Sequence, residues 1–395
     1  MKILIIIHNR VGTGPFLKVF ELCRSLSHLD NEVTLVCTSL FNRFKTNSYY
    51  LELVNIIETP DLFNGNLRQG IDLWNSLIRY LVLRKKNFDL IHAIDCRPTV
   101  IIPAIALKIR LHIPLIISWW DDFSRNGTIK ERNGLVYNFT FGFIEQFFNY
   151  RFRKFADYSI AISFNLQNKL KKIGIRGSDV DVIRLGSVNK IDYKYDKNFI
   201  RSKLSLPKNE IIFIYLGSIF NTDLELLLDS LVIYHNRYGT EIKTILIGQH
   251  EISNDLCKRL SIIKTGFIED DEKLNNYLLA SDYAFLPLKN SLANKSRWPS
   301  KVADYFAMNL ITVFTPVGEL KKLYKDYDFG YMSKTDSPVD FANSINNAVL
   351  DRYDKNKHKS KLSSINRLLN NELNWKSIAK KHLIIYEKTI KMIQQ

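Results

Sequence analysis

The residues best suited to bind an anion lie in segment 296–308, which reads Ser-Arg-Trp-Pro-Ser-Lys-Val-Ala-Asp-Tyr-Phe-Ala-Met. Its pattern predicts a helix that begins at Lys301, with Ser300 as the N-cap. The unpaired amide groups and positive dipole of a helix N-terminus favour a diphosphate, and Arg297 and Lys301 add positive charge there. Asp304 follows one turn later, where its carboxylate can accept two ribose hydroxyls. A capped amphipathic helix with an exposed lysine and aspartate is the structural alternative.

Polar side chains also follow two strands predicted in the first half of the chain. His92 and Asp95 flank the end of one strand, and Trp120, Asp121 and Asp122 follow the next. Tryptophan faces suit stacking on sugar rings. We therefore predict catalytic roles for His92 and Asp121 and acceptor contacts for the other three, although a histidine at a strand end is more often structural.

Three positions predict special backbone conformations. Gly12 and Gly14 allow close approach of a ligand to the backbone, so we expect acceptor or donor contacts there; a plain tight turn is the alternative. Asn309 occupies the position after the predicted helix that usually needs left-handed backbone.

The four cysteines lie far apart, and we expect neither a metal site nor disulfides.

The elements that must position these residues form two series. At 395 residues, the chain is long enough for two α/β domains. Short apolar runs alternate with helical patterns, as in βαβ units, and continuously apolar strands predict parallel sheets covered on both faces. The predicted strands span 2–7, 32–37, 53–58, 90–94, 115–118, 158–162 and 181–184, then 211–216, 243–247, 283–286 and 311–315. The predicted helices span 16–26, 69–85 and 165–173, then 223–235, 271–280 and 301–308.

This rhythm predicts two Rossmann-like, doubly wound domains with a ligand cleft where the carboxyl ends of the two sheets face each other. We place the first domain at residues 1–190 and the second at 191–374, with a polar linker near 189–198. A helical tail, 375–395, follows, and the sequence leaves open whether it packs back across the hinge. The apolar run at the N-terminus is short for a signal peptide and predicts a buried first strand.

The formal net charge of +16 favours an anionic partner. Basic residues often stand beside aromatic ones, as in Tyr-Arg-Phe-Arg-Lys-Phe at 150–155, and no zinc-finger, helix-turn-helix or RNP pattern accompanies them. We therefore expect no nucleic acid partner. We expect a cytoplasmic protein with a peripheral face for an anionic membrane; a solvated basic surface with a phosphate-binding cleft is the alternative.

Segment 296–308 resembles the donor-binding signature of the GT-B glycosyltransferases, particularly the retaining group 4 family. That family shows Pro-x-Lys-x-x-Glu/Asp-Tyr-x-Ala, matched here from Pro299 to Ala307. The likeness extends over nearly the whole chain. Other resembling segments are 12–14, 88–93, 155–163, 265–267, 280–287 and 373–386.

The resemblance implies transfer of a sugar, with retention, from a UDP- or GDP-linked donor to a glycan or lipid-linked acceptor in surface polysaccharide or glycoconjugate synthesis. It also implies that Gly217 and Ser218, after strand 211–216, contact the donor. No cofactor or metal beyond the nucleotide sugar is implied. The sequence departs from the family at Ser296, where a carboxylate is usual, and after Gly217, where an arginine and a lysine are usual. Arg297 or Lys301 would compensate for the missing cations.

Two rival interpretations remain at this stage. A sugar-nucleotide epimerase has the same two-domain architecture, and a non-catalytic binding or scaffold protein would tolerate both departures. An NAD-dependent dehydrogenase is disfavoured, because the glycines at 12 and 14 lack the third glycine of the dinucleotide fingerprint.

Overall fold

The computed structural model describes residues 1–65, 67, 70–123, 127, 141–187, 196–239 and 241–394. Among these, the chain divides into two compact units. The first holds residues 1–187, 296–298 and 374–394, and the second holds 196–295 and 299–373. The predicted boundary at 190/191 and most of the predicted linker lie outside the described residues.

The first unit contains an eight-stranded sheet in the order β3-β4-β2-β1-β5-β6-β7-β8. Every paired neighbour is parallel except β3, which runs antiparallel to β4 at the edge. The strands are β1 (Lys2–Arg10), β2 (Glu32–Thr38), β3 (Asn47–Leu51), β4 (Val54–Thr59), β5 (Leu90–Ile94), β6 (Leu115–Trp119), β7 (Tyr158–Ala161) and β8 (Val180–Val182). The apolar run predicted as a first strand, 3–7, is completely buried in β1.

Helices cover the strands of this sheet, as a parallel sheet requires. They are α1 (Gly14–Ser27), α2 (Leu73–Leu83), α3 (Pro98–Leu111), α4 (Phe141–Arg151), α5 (Phe164–Lys172) and, from the end of the chain, α15 (Trp375–Gln394). The predicted C-terminal helix is therefore part of the first unit, where it contacts α1.

The second unit contains a parallel six-stranded sheet in the order β11-β10-β9-β12-β13-β14. Its strands are β9 (Ile211–Leu216), β10 (Ile242–Ile247), β11 (Ile262–Gly266), β12 (Tyr283–Leu286), β13 (Ile311–Phe314) and β14 (Gly330–Met332). This is the doubly wound Rossmann order, in which ligands bind at the carboxyl ends of the strands near the switch point. Here the switch point lies between β9 and β12.

The second unit's helices include the one predicted from the anion-binding segment. They are α6 (Lys197–Lys203), α7 (Asn221–Tyr238), α8 (Asn254–Arg259), α9 (Asp271–Ala280), α10 (Leu292–Ser296), α11 (Lys301–Ala307), α12 (Gly318–Leu323), α13 (Pro338–Leu350) and α14 (Lys355–Leu368). The helix predicted over 301–308 is α11, and Asn309 after it has the predicted left-handed backbone, with φ of 55°.

A buried arginine joins α6 to the amino edge of this sheet. Arg201 is 2% exposed, and its Nε donates to the carbonyl of Ala280 at 2.9 Å. Its terminal nitrogens donate to the carbonyls of Lys208 and Glu210 and, at 2.7 Å, to the carboxylate of Asp282. One side chain thus satisfies several buried acceptors from three segments.

We expect Arg201→Met to lower the free energy of unfolding by about 3 kcal/mol, because it removes one of the donors to a largely buried carboxylate and leaves several carbonyls without theirs. Urea denaturation measures this change. Arg259→Met, at the exposed end of α8, is the matched control and should change stability by less than about 0.5 kcal/mol. Equal stability of the two variants would contradict the structural role of Arg201.

Candidate active site

A cleft of about 890 Å³ opens at the carboxyl ends of β9, β10 and β11 in the second unit. Its walls come from the loop after β9, the first turns of α7, the loop after β10, and β11. The lining residues are Ile219, Asn221, Leu224, Glu225, Leu228, Gly248, Gln249, His250, Glu251, Lys264 and Gly266. This is the edge of a doubly wound sheet at which ligands bind.

Glycines shape the backbone at the strand ends of this cleft. Gly217, directly after β9, has φ of 80°, and Gly248, directly after β10, has φ of 123°. A side chain at position 248 would also meet the backbone of Gly217 at 3.2 Å. Both positions therefore favour glycine, and their N–H groups donate to the carbonyls of Ile247 and Gly266.

Lys301 is fixed beside the same loop. Its ammonium group donates to the hydroxyl of Tyr215 at 2.5 Å and to the carbonyl of Ser218 at 3.1 Å, and it lies 3.9 Å from the centre of the Tyr215 ring. The backbone N–H of Leu216 donates to the hydroxyl of Tyr305 at 2.8 Å, which attaches α11 to the end of β9. The structure thus brings together three residues predicted from the sequence, Gly217, Ser218 and Lys301.

The cleft has a cationic side that the sequence analysis missed. Lys264 lines it and donates to the carbonyl of Ile252 at 2.7 Å. Burial lowers the pKa of His250, and the positive charges of Lys301 and Lys264 lower it further, so the three groups act on one another electrostatically. Glu225 and Glu251 also line the cleft, so its positive and negative side chains lie together there. Lys264 lies in β11, a strand that the sequence analysis did not predict. Had that strand been recognised, the position of Lys264 near its carboxyl end would have indicated a place in the cleft.

Ser300, Asp304 and Arg297, also predicted for the donor, are not among the residues that line this cleft. Ser300 directly precedes α11, at the predicted N-cap position, but its backbone is helical, with φ of −54° and ψ of −26°, and its side chain makes no capping bond. Asp304 is buried within α11 and is 8% exposed. Arg297 belongs to the short segment 296–298 that groups with the first unit. Donor roles for Asp304 and Arg297 stay predictions.

His92 lies in the core of the first unit. Its ring is completely buried; Nδ1 is 2.7 Å from the hydroxyl of Tyr386, and Nε2 is 2.7 Å from the hydroxyl of Ser118. Burial, with His382 nearby, holds the pKa of His92 well below its usual value. Both nitrogens are occupied and no part of the ring is accessible, so this geometry contradicts the predicted catalytic role. His92 instead attaches α15 to the sheet.

Asp95 and Trp120 meet at the carboxyl edge of the first sheet. Asp95 has φ of 65°, and its carboxylate accepts the backbone N–H of Trp120 at 3.0 Å. Burial raises the pKa of Asp95 to about 6; the nearby positive charge of Arg153 opposes this shift, and Asp121 adds to it. Trp120 and Asp121 are partly exposed, so they are the members of this predicted group that a ligand can reach.

Asp122 is 1% exposed and forms an ion pair with Lys169. The hydroxyl of Tyr150 donates to its other oxygen at 3.1 Å. The predicted acceptor contact of Asp122 is therefore corrected to a structural ion pair, since both of its oxygens are already bonded inside the unit.

Ser296, where the resemblance led us to expect a carboxylate, is also buried. Its hydroxyl donates to Asn165 at 2.9 Å and lies 3.4 Å from the ammonium of Lys169, and its carbonyl accepts the hydroxyl of Ser163 at 2.6 Å. Ser296 is thus held by three side chains of α5 and of the residue before it.

Gly12 lies in the loop between β1 and α1, and Gly14 is the first residue of α1. Gly12 has φ of 78°, and an added Cβ at either glycine would meet nothing within 4 Å. The loop faces open space, and ligand contact there stays a prediction.

Two family models match this sequence in chain order. Residues 18–186 match Glycosyltransferase Family 4, and residues 210–351 match Glycosyl transferases group 1. Together the matches cover more than three quarters of the chain. No curated protein matches the sequence significantly.

Several solved structures share the fold of this chain over almost its whole length. Sucrose-phosphate synthase from Thermosynechococcus elongatus has a TM-score of 0.71 at 14% identity, over 99% of this chain and 100% of that one. A glycosyltransferase from Rickettsia africae has a TM-score of 0.67 at 14% identity, over 99% of this chain and 98% of that one. Anabaena HepE in complex with UDP and glucose has a TM-score of 0.66 at 15% identity, over 98% of this chain and 100% of that one. The fold and the paired family matches together establish that this chain is a GT-B glycosyltransferase related to family 4.

Proposed function

We propose that the cleft of the second unit binds a nucleoside-diphosphate sugar, linked to UDP or GDP, and that the enzyme transfers the sugar with retention. The single observation that carries the proposal is the cleft at the carboxyl ends of β9, β10 and β11, which Lys264 and His250 line and beside which Lys301 is held at the loop after β9. HepE, which shares the fold, binds UDP and UDP-glucose. The cleft volume also falls within the range of about 300–1,000 Å³ typical of ligand sites.

The cationic side of the cleft would act on the departing diphosphate. As the bond between the anomeric carbon and the phosphate oxygen breaks, negative charge grows on that oxygen, and fixed positive groups stabilise it without reorganising. In a retaining transfer, the acceptor hydroxyl attacks from the same face and its proton passes to the departing phosphate oxygen. No protein nucleophile and no resident cofactor is needed, and the nucleotide sugar is the co-substrate. Asp121 remains the candidate carboxylate on the acceptor side.

We further propose that the acceptor is a glycan or a lipid-linked sugar at an anionic membrane, in surface polysaccharide or glycoconjugate synthesis. Support comes from an aromatic–basic face formed by α4, the turn after it and the end of α5, and defined by Phe143, Phe147, Arg151, Lys154 and Lys172. Phe143 is 58% exposed and Phe147 is 49% exposed. They line a groove of about 480 Å³ together with the three cations.

This face lacks exposed acid. Glu145 is the only acidic residue in segments 141–155 and 164–173, and its side chain is 1% exposed and paired with Arg97 at 3.0 Å. Exposed aromatic rings with surrounding cations are the usual features of a surface that lies on an anionic bilayer. In the part of the chain that the structure describes, none of the helices combines the length and apolar character needed to cross a bilayer.

Donor binding depends on the cleft lysines, so Lys264→Met and Lys301→Met should each lower kcat/KM for the donor by about tenfold to a hundredfold through loss of a charged contact. Initial rates with UDP- and GDP-linked sugars measure this, and NMR of the product gives its anomeric configuration. Lys273→Met, on the exposed side of α9, is the control and should match the parent.

An unchanged kcat/KM for the donor in both cleft variants would contradict the assignment of the donor site to this cleft. Inversion at the anomeric carbon would contradict retention alone. An incubation without acceptor separates the remaining enzyme class, because an epimerase would isomerise the sugar while it is still attached to the nucleotide.

Membrane binding should depend on both parts of the aromatic–basic face. We expect Lys154→Glu/Lys172→Glu to weaken co-sedimentation with phosphatidylglycerol vesicles by about tenfold or more, because each reversal removes attraction to anionic lipid. Phe143→Ser/Phe147→Ser should also weaken co-sedimentation, because it removes the two aromatic rings that would insert into the bilayer. Lys325→Glu, an exposed lysine of the second unit, is the control. Equal binding to phosphatidylcholine and phosphatidylglycerol vesicles would contradict the proposal.

A further inference from the structure

A second pocket, of about 290 Å³, lies at the opposite edge of the second sheet. It opens where β12 and β13 begin, between α6 and the start of α14, and we call it the amino-edge pocket. Its lining residues are Lys197, Ile200, Leu279, Ser281, Asp282, Tyr283, Met308, Asn309, Leu310, Arg352, His358 and Leu362. Because the donor cleft lies at the carboxyl ends of the strands, the two cavities are separated by roughly the length of a strand, about 15 Å.

The charges of the amino-edge pocket do not cancel. Asp282 is its one carboxylate, and it accepts from Lys197 at 3.0 Å and from Arg201 at 2.7 Å. The backbone N–H of Ile212 also donates to it, at 2.9 Å. These partners hold the pKa of Asp282 below its usual value, so it stays ionised. One carboxylate is thus already shared by two cations, and the charge of Arg352 is left in excess.

Two donor side chains lining the pocket have no hydrogen-bond partner among the described residues. The guanidinium of Arg352 makes no ion pair there and lies 5.6 Å from the ring of Tyr353. The ring of His358 is half-buried and makes no hydrogen bond in the same part of the chain. His358 lies close enough to Lys197 and Asp282 for both to act on it electrostatically. Donors that line a cavity without partners are available to an anionic ligand.

Apolar side chains complete the pocket and restrict the class of ligand. Ile200, Leu279, Leu310 and Leu362 line it beside the polar groups. A fully hydrated inorganic ion gains nothing from such a lining, whereas an organic anion can bury its carbon skeleton there.

We propose that the amino-edge pocket binds a small organic anion, with its phosphate or carboxylate group between Arg352 and His358 and its carbon skeleton against the leucines. Met308 and Leu310 place the ligand at the end of α11, the seven-residue helix whose first residue is Lys301. The ligand is therefore positioned as an effector of donor binding, a role that rests on the proposed function.

Calorimetry with phenyl phosphate, which joins a phosphate to an apolar ring, tests the site. Arg352→Gln and His358→Gln should each weaken its binding at least about tenfold, because each removes a donor to the charged group. Arg237→Gln, at an exposed position of α7, should not change it. Lys264→Met should not change it either, which separates this pocket from the donor cleft.

Absence of binding at millimolar phenyl phosphate, or equal affinity in the Arg352 and Arg237 variants, would overturn the site. Loss of binding in Lys264→Met would assign the ligand to the donor cleft and overturn it as well. If the site is upheld, UDP titrations with and without phenyl phosphate test the effector role. A change in nucleotide affinity that disappears in Arg352→Gln supports that role, and an unchanged affinity overturns it without affecting the site.

Discussion

Helix α11 is attached to the carboxyl end of β9 through two tyrosine hydroxyls. Tyr305 accepts the N–H of Leu216, and Tyr215 accepts the ammonium of Lys301. Burial holds the pKa of Tyr305 well above its usual value, so its hydroxyl stays neutral in this apolar setting. Each such bond contributes only about 1 kcal/mol, but together they fix the position of Lys301 beside the loop that begins at Gly217. The proposed donor cleft depends on this attachment.

The two units use charge differently. At the carboxyl edge of the first sheet, buried acids are matched by buried bases: Asp122 by Lys169, Glu145 by Arg97, and Asp95 by Arg153 at a longer distance. Such pairs hold a structure together and leave little charge for a ligand. In the cleft of the second unit, Lys264, His250 and Lys301 act on one another as like charges when His250 is protonated. These groups border an open cleft that Glu225 and Glu251 also line, and the proposed diphosphate would lie beside the two lysines.

Much of the fold could be predicted from the sequence, because a continuously apolar run is typical of a strand in a parallel sheet that is buried on both faces. Strands 90–94, 211–216 and 283–286 have the predicted bounds. The edge strand β3 was missed because its five residues are all exposed and its sequence, Asn-Ser-Tyr-Tyr-Leu, lacks an apolar run. β11 was missed because Lys-Thr-Gly ends it. Local patterns do not identify strands stabilised mainly by their neighbours.

The site was harder to predict, because its geometry depends on distant contacts. His92 has the position expected of a catalytic residue, but its partner Tyr386 is 294 positions away in sequence, and no local pattern shows that pairing. Ser300 is the right residue type for a cap, yet its backbone is already helical. The helix that carries Lys301 could be predicted because its pattern is local, whereas the contacts of Lys301 with Tyr215 and Ser218 join residues more than 80 positions apart. Lys264 was not recognised because its strand was not.

Hydrogen–deuterium exchange of the protein with and without UDP and GDP tests the placement of the donor cleft most directly. The predicted result is slower exchange in segments 217–221, 248–251 and 264–266 with one of these nucleotides, and no comparable change at the carboxyl edge of the first sheet. Protection confined to other segments, or no protection by either nucleotide at saturating concentration, would contradict the assignment of this cleft to the donor.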